Sequence, residues 1–170
     1  MLRTFLARRR VALGFGFAAM VLYLARPTWG SLAVGTAVAI TGEAIRLWAA
    51  GHLEKSREVT SSGPYRFTRH PLYLGSSVMA AGVALACRSV LVAVLVAIYM
   101  TATLTAAIRS EEAYLRERFG DAYDNYARDA GPRVDRRFSW ERVWRNKEYR
   151  AVAGVGLFLC LLVARMLIGA

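Results

Sequence analysis

Five apolar runs separated by short basic blocks are the feature of this sequence that most constrains its fold. The runs cover residues 11–24, 29–50, 72–86, 90–108 and 151–168. Inside them only Glu43, Arg46 and Arg165 carry a charge. Runs of this kind approach the roughly 20 residues with which a helix crosses a bilayer. Because backbone N–H and C=O groups find no partners in hydrocarbon, such runs fold as helices. The sequence therefore predicts an all-α integral membrane protein.

The boundaries of the runs give five predicted transmembrane helices. Phe5 and Leu6 extend the first run, so the predicted spans are about 5–24, 29–50, 72–86, 90–108 and 151–168. The first run also resembles the centre of a signal peptide, but no small-residue cleavage motif follows it, which favours a retained helix. Only residues 87–89 separate the third span from the fourth, so these two form a tight antiparallel hairpin. We expect a single membrane domain over residues 1–170.

The distribution of basic residues predicts the orientation in the membrane. With the N-terminus inside, all 23 lysines and arginines fall on the cytoplasmic side except Arg26, Arg46, Arg88 and Arg165. Cytoplasmic loops of membrane proteins are enriched in such residues. We therefore expect a multi-pass protein of a bacterial inner membrane, with a cytoplasmic N-terminus and an external C-terminus. The formal charge of +11 then faces anionic membrane lipids, and no nucleic-acid partner is expected because no nucleic-acid-binding motif accompanies the charge.

The segment 109–150 is too highly charged to cross a bilayer. Apolar side chains on one helical stripe run through its first part: Ile108, Leu115, Phe119, Ala122 and Tyr126. An amphipathic helix of this kind lies along a membrane surface. We expect a cytoplasmic amphipathic helical segment between the fourth and fifth spans, broken at Gly120.

Two motifs flank the predicted hairpin of the third and fourth spans. The first is Gly63-Pro64-Tyr65, which runs into Arg69-His70-Pro71-Leu72-Tyr73-Leu74-Gly75. The second is Glu111-Glu112, followed by Phe119-Gly120 and by Tyr123 and Tyr126. Because the hairpin returns the chain to the side from which it entered, both motifs meet at one membrane face. Polar, aromatic and acidic side chains gathered there indicate an active site.

The paired motifs and their separation resemble the isoprenylcysteine carboxyl methyltransferase and phospholipid methyltransferase families. The resemblance covers residues from about Val59 to Tyr126. It implies a membrane enzyme that transfers a methyl group from S-adenosylmethionine to a lipophilic or membrane-embedded acceptor. In these families the first acid of the glutamate pair binds the cofactor, a role that falls on Glu111. The families usually have an arginine, implicated in holding the acceptor, four residues before that acid, where this chain has Ala107.

The His70-Pro71 pair lies where a loop becomes the third span, and proline is favoured at the first helical position. His70 then occupies the N-cap, and the free N–H groups of the first turn form a seat for an anion, such as the carboxylate of the cofactor. The rings of Tyr65 and Tyr73 can face the adenine or the sulfonium cation. The alternative is that His-Pro only starts a helix and the tyrosines belong to an interfacial belt.

The charged candidates have two interpretations as well. Glu111 and Glu112 bind the cofactor ammonium or a nearby arginine, or else they belong to a surface helix with pairs four residues apart. Glu43 and Arg46 share one face of the second span, where they line the acceptor entrance or neutralise each other near the interface. Arg109, the arginine nearest to Ala107, points to another side of the helix.

These arguments assign the site residues to three groups. Seven residues are assigned to the cofactor: Val59, Tyr65, His70, Pro71, Leu72, Tyr73 and Glu111. Arg69 and Glu112 are assigned to catalysis, and Arg109, Glu43 and Arg46 to acceptor binding. No metal site is expected, because Cys87 and Cys160 form no ligand-spaced motif and are interpreted as small buried thiols.

Other function classes remain beside the methyltransferase. One is a non-enzymatic membrane adaptor, whose basic cytoplasmic block binds a partner or anionic lipid. A small transporter is weaker, because only Glu43 and Arg46 are charged deep within the spans. A soluble methyltransferase is excluded, because the sequence lacks its glycine-rich strand–loop–helix start. The acceptor stays open among prenylcysteine carboxylates, phospholipid amines, small thiols and other lipophilic molecules.

Overall fold

A computed structural model of the chain describes residues 2–55, 57–128, 130 and 134–168, with side chains from Leu13 onward. This part of the chain forms seven α-helices and one short 3-10 helix, and it contains no β-strand. The helices are α1 (Leu2–Leu24), α2 (Trp29–His52), α3 (Pro71–Cys87), α4 (Val90–Phe119), α5 (Asp121–Ala127), α6 (Trp140–Arg145) and α7 (Tyr149–Ile168), with the 3-10 helix at Gly63–Arg66. The prediction of an all-α protein is confirmed. Residues 169–170, at the predicted external end, lie outside the described residues.

Five apolar helices correspond to the five predicted spans. Three of them, α2, α4 and α7, are long and apolar enough to cross a membrane by length and composition. Leu13–Leu24 of α1 and the whole of α3 are shorter apolar helices. The predicted hairpin forms between α3 and α4, where Arg88 adopts the left-handed conformation (φ 48°) that ends α3.

Helix α4 differs from its predicted boundary, because it does not end at Ile108 but continues to Phe119. Its 30 residues make it about 45 Å long. The charged extension is rich in helix-forming residues, and Glu112 pairs with Arg116 one turn later at 3.6 Å. The helix ends at Gly120, whose φ of 50° favours glycine, and α5 begins at the next residue. The predicted break at Gly120 is therefore confirmed, while the amphipathic segment starts as an extension of α4.

Helices α2 and α3 pack backbone to backbone along a face of glycines. Gly35 of α2 lies opposite Gly82 of α3, and Gly42 of α2 lies opposite Gly75 of α3. Within each helix the two glycines are seven positions apart. A Cβ on Gly42 would lie 2.7 Å from the Gly75 carbonyl oxygen. Small residues allow such close approach of helices in membranes. The α2–α3 pair therefore fixes the start of α3 against the last turns of α2.

At the other end of the bundle, α1, α3 and α7 are tied together. The Arg26 amide donates to the Cys87 carbonyl at 2.8 Å, and the Arg165 guanidinium donates to the Ala25 and Tyr23 carbonyls at 3.1 and 2.8 Å. The core lies beside these contacts and includes Val21, Ala25, Leu32, Ala86, Cys87, Val92, Val96 and Leu162. Cys87 is buried as predicted, but Cys160 is exposed because it lies on the outer face of α7.

Residues 134–148, which we call the strap, hold the C-terminal end of α2. The Asn146 amide donates to the Ala50 and Leu53 carbonyls at 2.9 and 3.1 Å, and Arg142 donates to the Gly51 carbonyl at 2.7 Å. These bonds satisfy carbonyl groups that a helix C-terminus leaves without partners. The Glu54 carboxylate, just beyond α2, pairs with three arginines of the strap: Arg136, Arg142 and Arg145. The strap thereby fixes the loop between α2 and α3.

Candidate functional site

A cavity of about 810 Å³, here called the large cavity, opens between the α2–α3 loop and helices α3, α4 and α5. Its walls are formed by residues 53–55 and 58–60, by Tyr65, by residues 69–73 at the start of α3, by residues of the stretch 103–115 of α4, and by Tyr123 and Tyr126 of α5. Both sequence motifs contribute to it. The hairpin brings them together because α3 starts, and the polar extension of α4 continues, at the same end of the bundle.

All seven residues assigned to the cofactor line the large cavity, and so does Arg69. The other four assigned residues, Glu112, Arg109, Glu43 and Arg46, are not among its lining residues. Arg109 is exposed on α4, whereas Glu43 is buried in α2. The structure therefore gathers the predicted cofactor residues and leaves the predicted acceptor residues elsewhere.

Three tyrosines and Glu111 lie together in the wall of the large cavity. The Tyr73 hydroxyl is close to the Glu111 carboxylate, and the Tyr126 hydroxyl donates to the Tyr65 carbonyl at 2.9 Å. Tyr65 is 9% exposed, and burial, reinforced by the nearby Glu111 charge, raises the pKa of its phenol well above the ordinary range. Tyr65 therefore stays protonated at neutral pH, and its neutral ring is a surface on which a flat or cationic group can stack.

His70 joins the start of α3 to the polar extension of α4. Its Nε2 lies 3.1 Å from Glu112 Oε1, and since a carboxylate only accepts, Nε2 carries the hydrogen. Arg69 and Arg116 each lie 3.6 Å from the same carboxylate. Glu112 is beyond the apolar part of α4; the hydrogen bond from His70, helped by the charges of both arginines, outweighs burial and lowers its pKa. Glu112 is thus ionised at neutral pH and holds His70 in place.

The first turn of α3 differs in one respect from the predicted anion seat. His70 occupies the N-cap position, but its side chain makes no capping hydrogen bond because the ring is engaged by Glu112. The amides of Tyr73 and Leu74 both donate to the His70 carbonyl, at 3.1 and 3.0 Å. Within the described residues, this leaves the Leu72 amide as the first-turn donor without a backbone partner.

Two polar atoms at the large cavity are buried and have no hydrogen-bond partner within the described residues. They are the Tyr123 hydroxyl, which is a donor, and Glu58 Oε1, which is an acceptor. An unpaired buried polar group costs free energy. Both atoms are closed off from solvent, so they lie behind the lining of the cavity and not on its surface.

Sequence reasoning missed several residues of the wall. Glu54, Glu58, Thr60, Thr103, Ser110 and Tyr114 line the large cavity but were not assigned. Thr103 and Ser110 lie on the same helical face as Glu111, so the period of α4 was the available signal. Glu54 and Glu58 depend on the path of a loop that the strap holds, for which the sequence carries no periodic signal.

The α4 wall of the large cavity is built from small side chains near Ala107. Ala106, Ala107 and Ser110 all line it, and the basic residues among its lining are Lys55 and Arg69. Neither of these lies on α4. The place at which the resembled families have an arginine is therefore open space in this protein.

A second cavity of about 480 Å³, here called the apolar cavity, lies deeper in the bundle between α1, α3, α4 and α7. Ser76, Met79 and Val83 of α3 line it, and these residues follow Leu72 of the large cavity on one helical face. On α4, Met100 and Leu104 line the apolar cavity, and each lies one helical turn before a residue of the large cavity, Thr103 and Ala107 respectively. The two cavities thus succeed one another along a single face of each helix.

Two comparisons with known proteins give matches. A family model described as phospholipid methyltransferase matches residues 11–122. The chain is 35% identical over 109 residues to the nickel-cobalt-cadmium resistance protein NccN of Alcaligenes xylosoxydans xylosoxydans, and the match covers 59% of this chain and 49% of that protein. The chain therefore spans about half the length of this relative. No solved structure matches the chain.

Proposed function

Because the chain belongs to the phospholipid methyltransferase family, we propose that it is an integral membrane enzyme that methylates a lipophilic acceptor with S-adenosylmethionine. The observation that carries the proposal is the large cavity, where both motifs and all seven assigned cofactor residues meet. Its volume is in the range of small-molecule sites. S-adenosylmethionine supplies the methyl group from its sulfonium. The residues of the chain bind and orient the reactants and keep water away.

The proposed donor site uses the charges and rings of the large cavity. Glu111 is the carboxylate that binds a cationic group of the donor, and Tyr65 and Tyr73 supply ring faces beside it. Arg69, which also pairs with Glu112, and Lys55 are the lining cations available for a carboxylate, together with the free Leu72 amide at the dipole end of α3. Glu112 acts through His70, which it holds at the cavity wall.

The proposed acceptor site combines the apolar cavity with the open space beside Ala107. Hydrocarbon side chains of four helices line the apolar cavity, which suits the tail of a lipophilic molecule. Such a molecule reaches the cavity from the bilayer, with its nucleophile directed toward the large cavity. Arg109, Glu43 and Arg46 line neither cavity and are not retained as acceptor ligands.

We further propose the membrane arrangement that the basic residues predict. In it five helices cross a bacterial inner membrane as one domain: α1, α2, α3, α4 and α7. The large cavity lies on the cytoplasmic side. The shorter apolar stretches, Leu13–Leu24 of α1 and the whole of α3, cross where the bilayer thins locally or where interfacial aromatic residues support them. Tyr23 and Trp29, both exposed, are such aromatic residues. The donor then enters from the cytoplasm.

The relative NccN bears a name that refers to resistance to nickel, cobalt and cadmium. Within the described residues, no group of three or more His, Cys, Asp or Glu side chains is placed to hold a metal ion. Metal binding is therefore not part of the proposal.

The proposal is tested on the protein purified in detergent. S-adenosylmethionine or S-adenosylhomocysteine at saturating concentration is expected to raise the melting temperature, because a ligand that binds only the folded state stabilises it. Labelled donor is then supplied with a host lipid extract, an aminophospholipid or a prenylcysteine analogue, and label is expected in a lipophilic product. Absence of both stabilisation and transfer would contradict the enzyme and favour a membrane adaptor.

A further inference from the structure

Arg46 is a partly buried arginine of α2 whose guanidinium contacts the first turns of α3. Its side chain is 18% exposed, and its stem crosses Gly75 of α3, where an added Cβ would lie 2.7 Å from Arg46 Cγ. Nη1 donates to the Leu72 carbonyl at 3.4 Å and to Ser76 Oγ, and Nη2 pairs with Glu148 Oε1. One guanidinium therefore joins α2, the first turns of α3 and the start of α7.

The two groups of α3 that Arg46 binds belong to different cavities. Leu72 lines the large cavity and Ser76 lines the apolar cavity, one helical turn apart. The Ser76 hydroxyl also donates to the Leu72 carbonyl at 2.8 Å, so both groups form one connected unit. Tyr73, next to Leu72, lines the large cavity close to Glu111. Arg46 thus holds the turn of α3 at which the cavities meet.

Glu148 is the carboxylate that holds Arg46. Lys147 adopts a positive φ of 60°, and the Glu148 amide donates to the Val143 carbonyl at 3.2 Å, which turns the Glu148 side chain inward to 6% exposure. Glu43 is a more distant partner, because its Oε2 lies 3.8 Å from Arg46 Nε. Within the described residues, neither Glu43 oxygen nor Glu148 Oε1 has a hydrogen-bond partner, so Glu148 holds Arg46 as an ion pair. Glu148 lies beyond residues 11–122, so the arrangement is completed from outside the family match.

We propose that Arg46, fixed by Glu148, is a positioning residue for methyl transfer, because it sets the α3 turn between the donor and acceptor cavities. This rests on the proposed function, which assigns the donor to the large cavity. A planar guanidinium serves several acceptors at fixed angles, which a single ammonium cannot do. A shift of about 1 Å at such a junction can cost on the order of a hundredfold in rate. Arg46 acts through Leu72, Tyr73 and Ser76 and touches neither reactant.

The main test is Arg46→Lys, which keeps a positive charge beside Glu148 but cannot also hold both α3 acceptors. We expect its melting temperature to stay near that of the parent protein. Its affinity for S-adenosylhomocysteine should fall about tenfold, or about 1.4 kcal/mol, because the α3 turn is no longer held in the geometry that binds the ligand. Amide hydrogen exchange of residues 73–77 should rise in parallel. The matched control is Arg26→Lys, the same change at an exposed position at the other end of the bundle, which should leave affinity and exchange unchanged.

A second variant keeps the test decisive if Arg46→Lys does not fold. In the triple variant Glu43→Gln, Arg46→Met, Glu148→Met, apolar side chains of similar size replace the buried pair, and such replacements are often neutral for stability. Positioning predicts weaker ligand binding and faster exchange at residues 73–77 with an unchanged melting temperature. A folded variant with unchanged binding and exchange would overturn the proposal. If the parent protein binds no S-adenosylhomocysteine, the proposed function is overturned instead. The exchange rates of residues 73–77 in parent and variants then decide by themselves whether Arg46 fixes the α3 turn.

Discussion

Glu111 and Glu112 are adjacent in the sequence but have different partners, since each residue of a helix turns the side chain by about 100°. Glu111 faces the large cavity and lies close to the Tyr73 hydroxyl. Glu112 faces the start of α3 and bonds His70 at 3.1 Å. One acid is thus available to a ligand, and the other fixes a wall residue.

The residue-scale prediction for the donor site uses Glu111→Gln. It removes the negative charge that faces the cavity, and we expect the stabilisation by S-adenosylhomocysteine to disappear while the melting temperature without ligand stays near that of the parent. Ligand at 100 times its Kd stabilises a protein by about 2.7 kcal/mol, so the loss is easily measured. Glu117→Gln, the same change at an exposed position of α4, is the control and should retain the full shift. Retained binding in Glu111→Gln, and in His70→Ala, would refute the donor site.

A second residue-scale prediction concerns Ala107. An arginine there would place a cation beside the large cavity, and we expect Ala107→Arg to raise methyl transfer to a prenylcysteine carboxylate about tenfold or more. A hydrogen bond to a charged group contributes roughly 1.5–3 kcal/mol. Ala107→Gln, similar in length but neutral, should give no such gain. Equal rates for the parent and both variants would show that position 107 does not select the acceptor.

Helices α2 and α3 are the elements on which the site depends most. Their glycine face brings the backbones close enough for Arg46 to reach α3, and α3 carries His70, Leu72 and Tyr73 into the large cavity. Helix α4 contributes through its length, because its extension beyond Ile108 carries Glu111 and Glu112 to the same end. The site therefore rests on helices, and one wall is a loop held by the strap.

The element-scale prediction compares two glycines of α2. Gly42→Ala adds a methyl group 2.7 Å from the Gly75 carbonyl oxygen, and overpacking of this kind typically costs about 1–3 kcal/mol. Gly30→Ala meets no atom within 4 Å and gains helix propensity of up to about 1 kcal/mol. We therefore expect the melting temperature to fall in Gly42→Ala and to stay or rise in Gly30→Ala. Equal effects would show that the α2–α3 contact is not close-packed.

At the scale of the whole molecule, the ends of the bundle differ in charge. Arg26, Arg88 and Arg165 lie at the end where α1, α3 and α7 terminate, and the other end carries the motifs and the basic strap. Segregation of this kind predicts membrane orientation, because basic segments are retained in the cytoplasm.

The whole-molecule prediction follows from that asymmetry. A reporter fused after Ala170 is expected to behave as external, and one inserted in the loop between α2 and α3 as cytoplasmic. Both results together require an odd number of spans between that loop and the C-terminus, as α3, α4 and α7 provide. They also place the large cavity on the cytoplasmic side. A cytoplasmic signal at the C-terminus would refute the five-span arrangement.

The sequence by itself determined the helices and the side of the bundle on which the motifs meet. Apolar runs specify helices because lipid leaves no other partner for the backbone, and a short turn such as 87–89 permits only a hairpin. The gathering of the residues assigned to the cofactor, from Tyr65 to Glu111, was predictable for the same reason, since they sit at or near the ends of those helices. Within α4 the helix continues past the predicted span, because hydropathy reports where an apolar stretch ends and not where a helix ends.

Only the tertiary structure decided which charges pair across distant parts of the chain. Arg46 and Glu43 are three residues apart and looked like a self-contained pair, yet the closest partner of Arg46 is Glu148. The loop that carries Glu54 and Glu58 is likewise placed by the strap, through contacts about 80 to 90 residues distant. Such pairs have no periodic signature, since burial of one charge demands a partner but does not specify where in the sequence that partner lies.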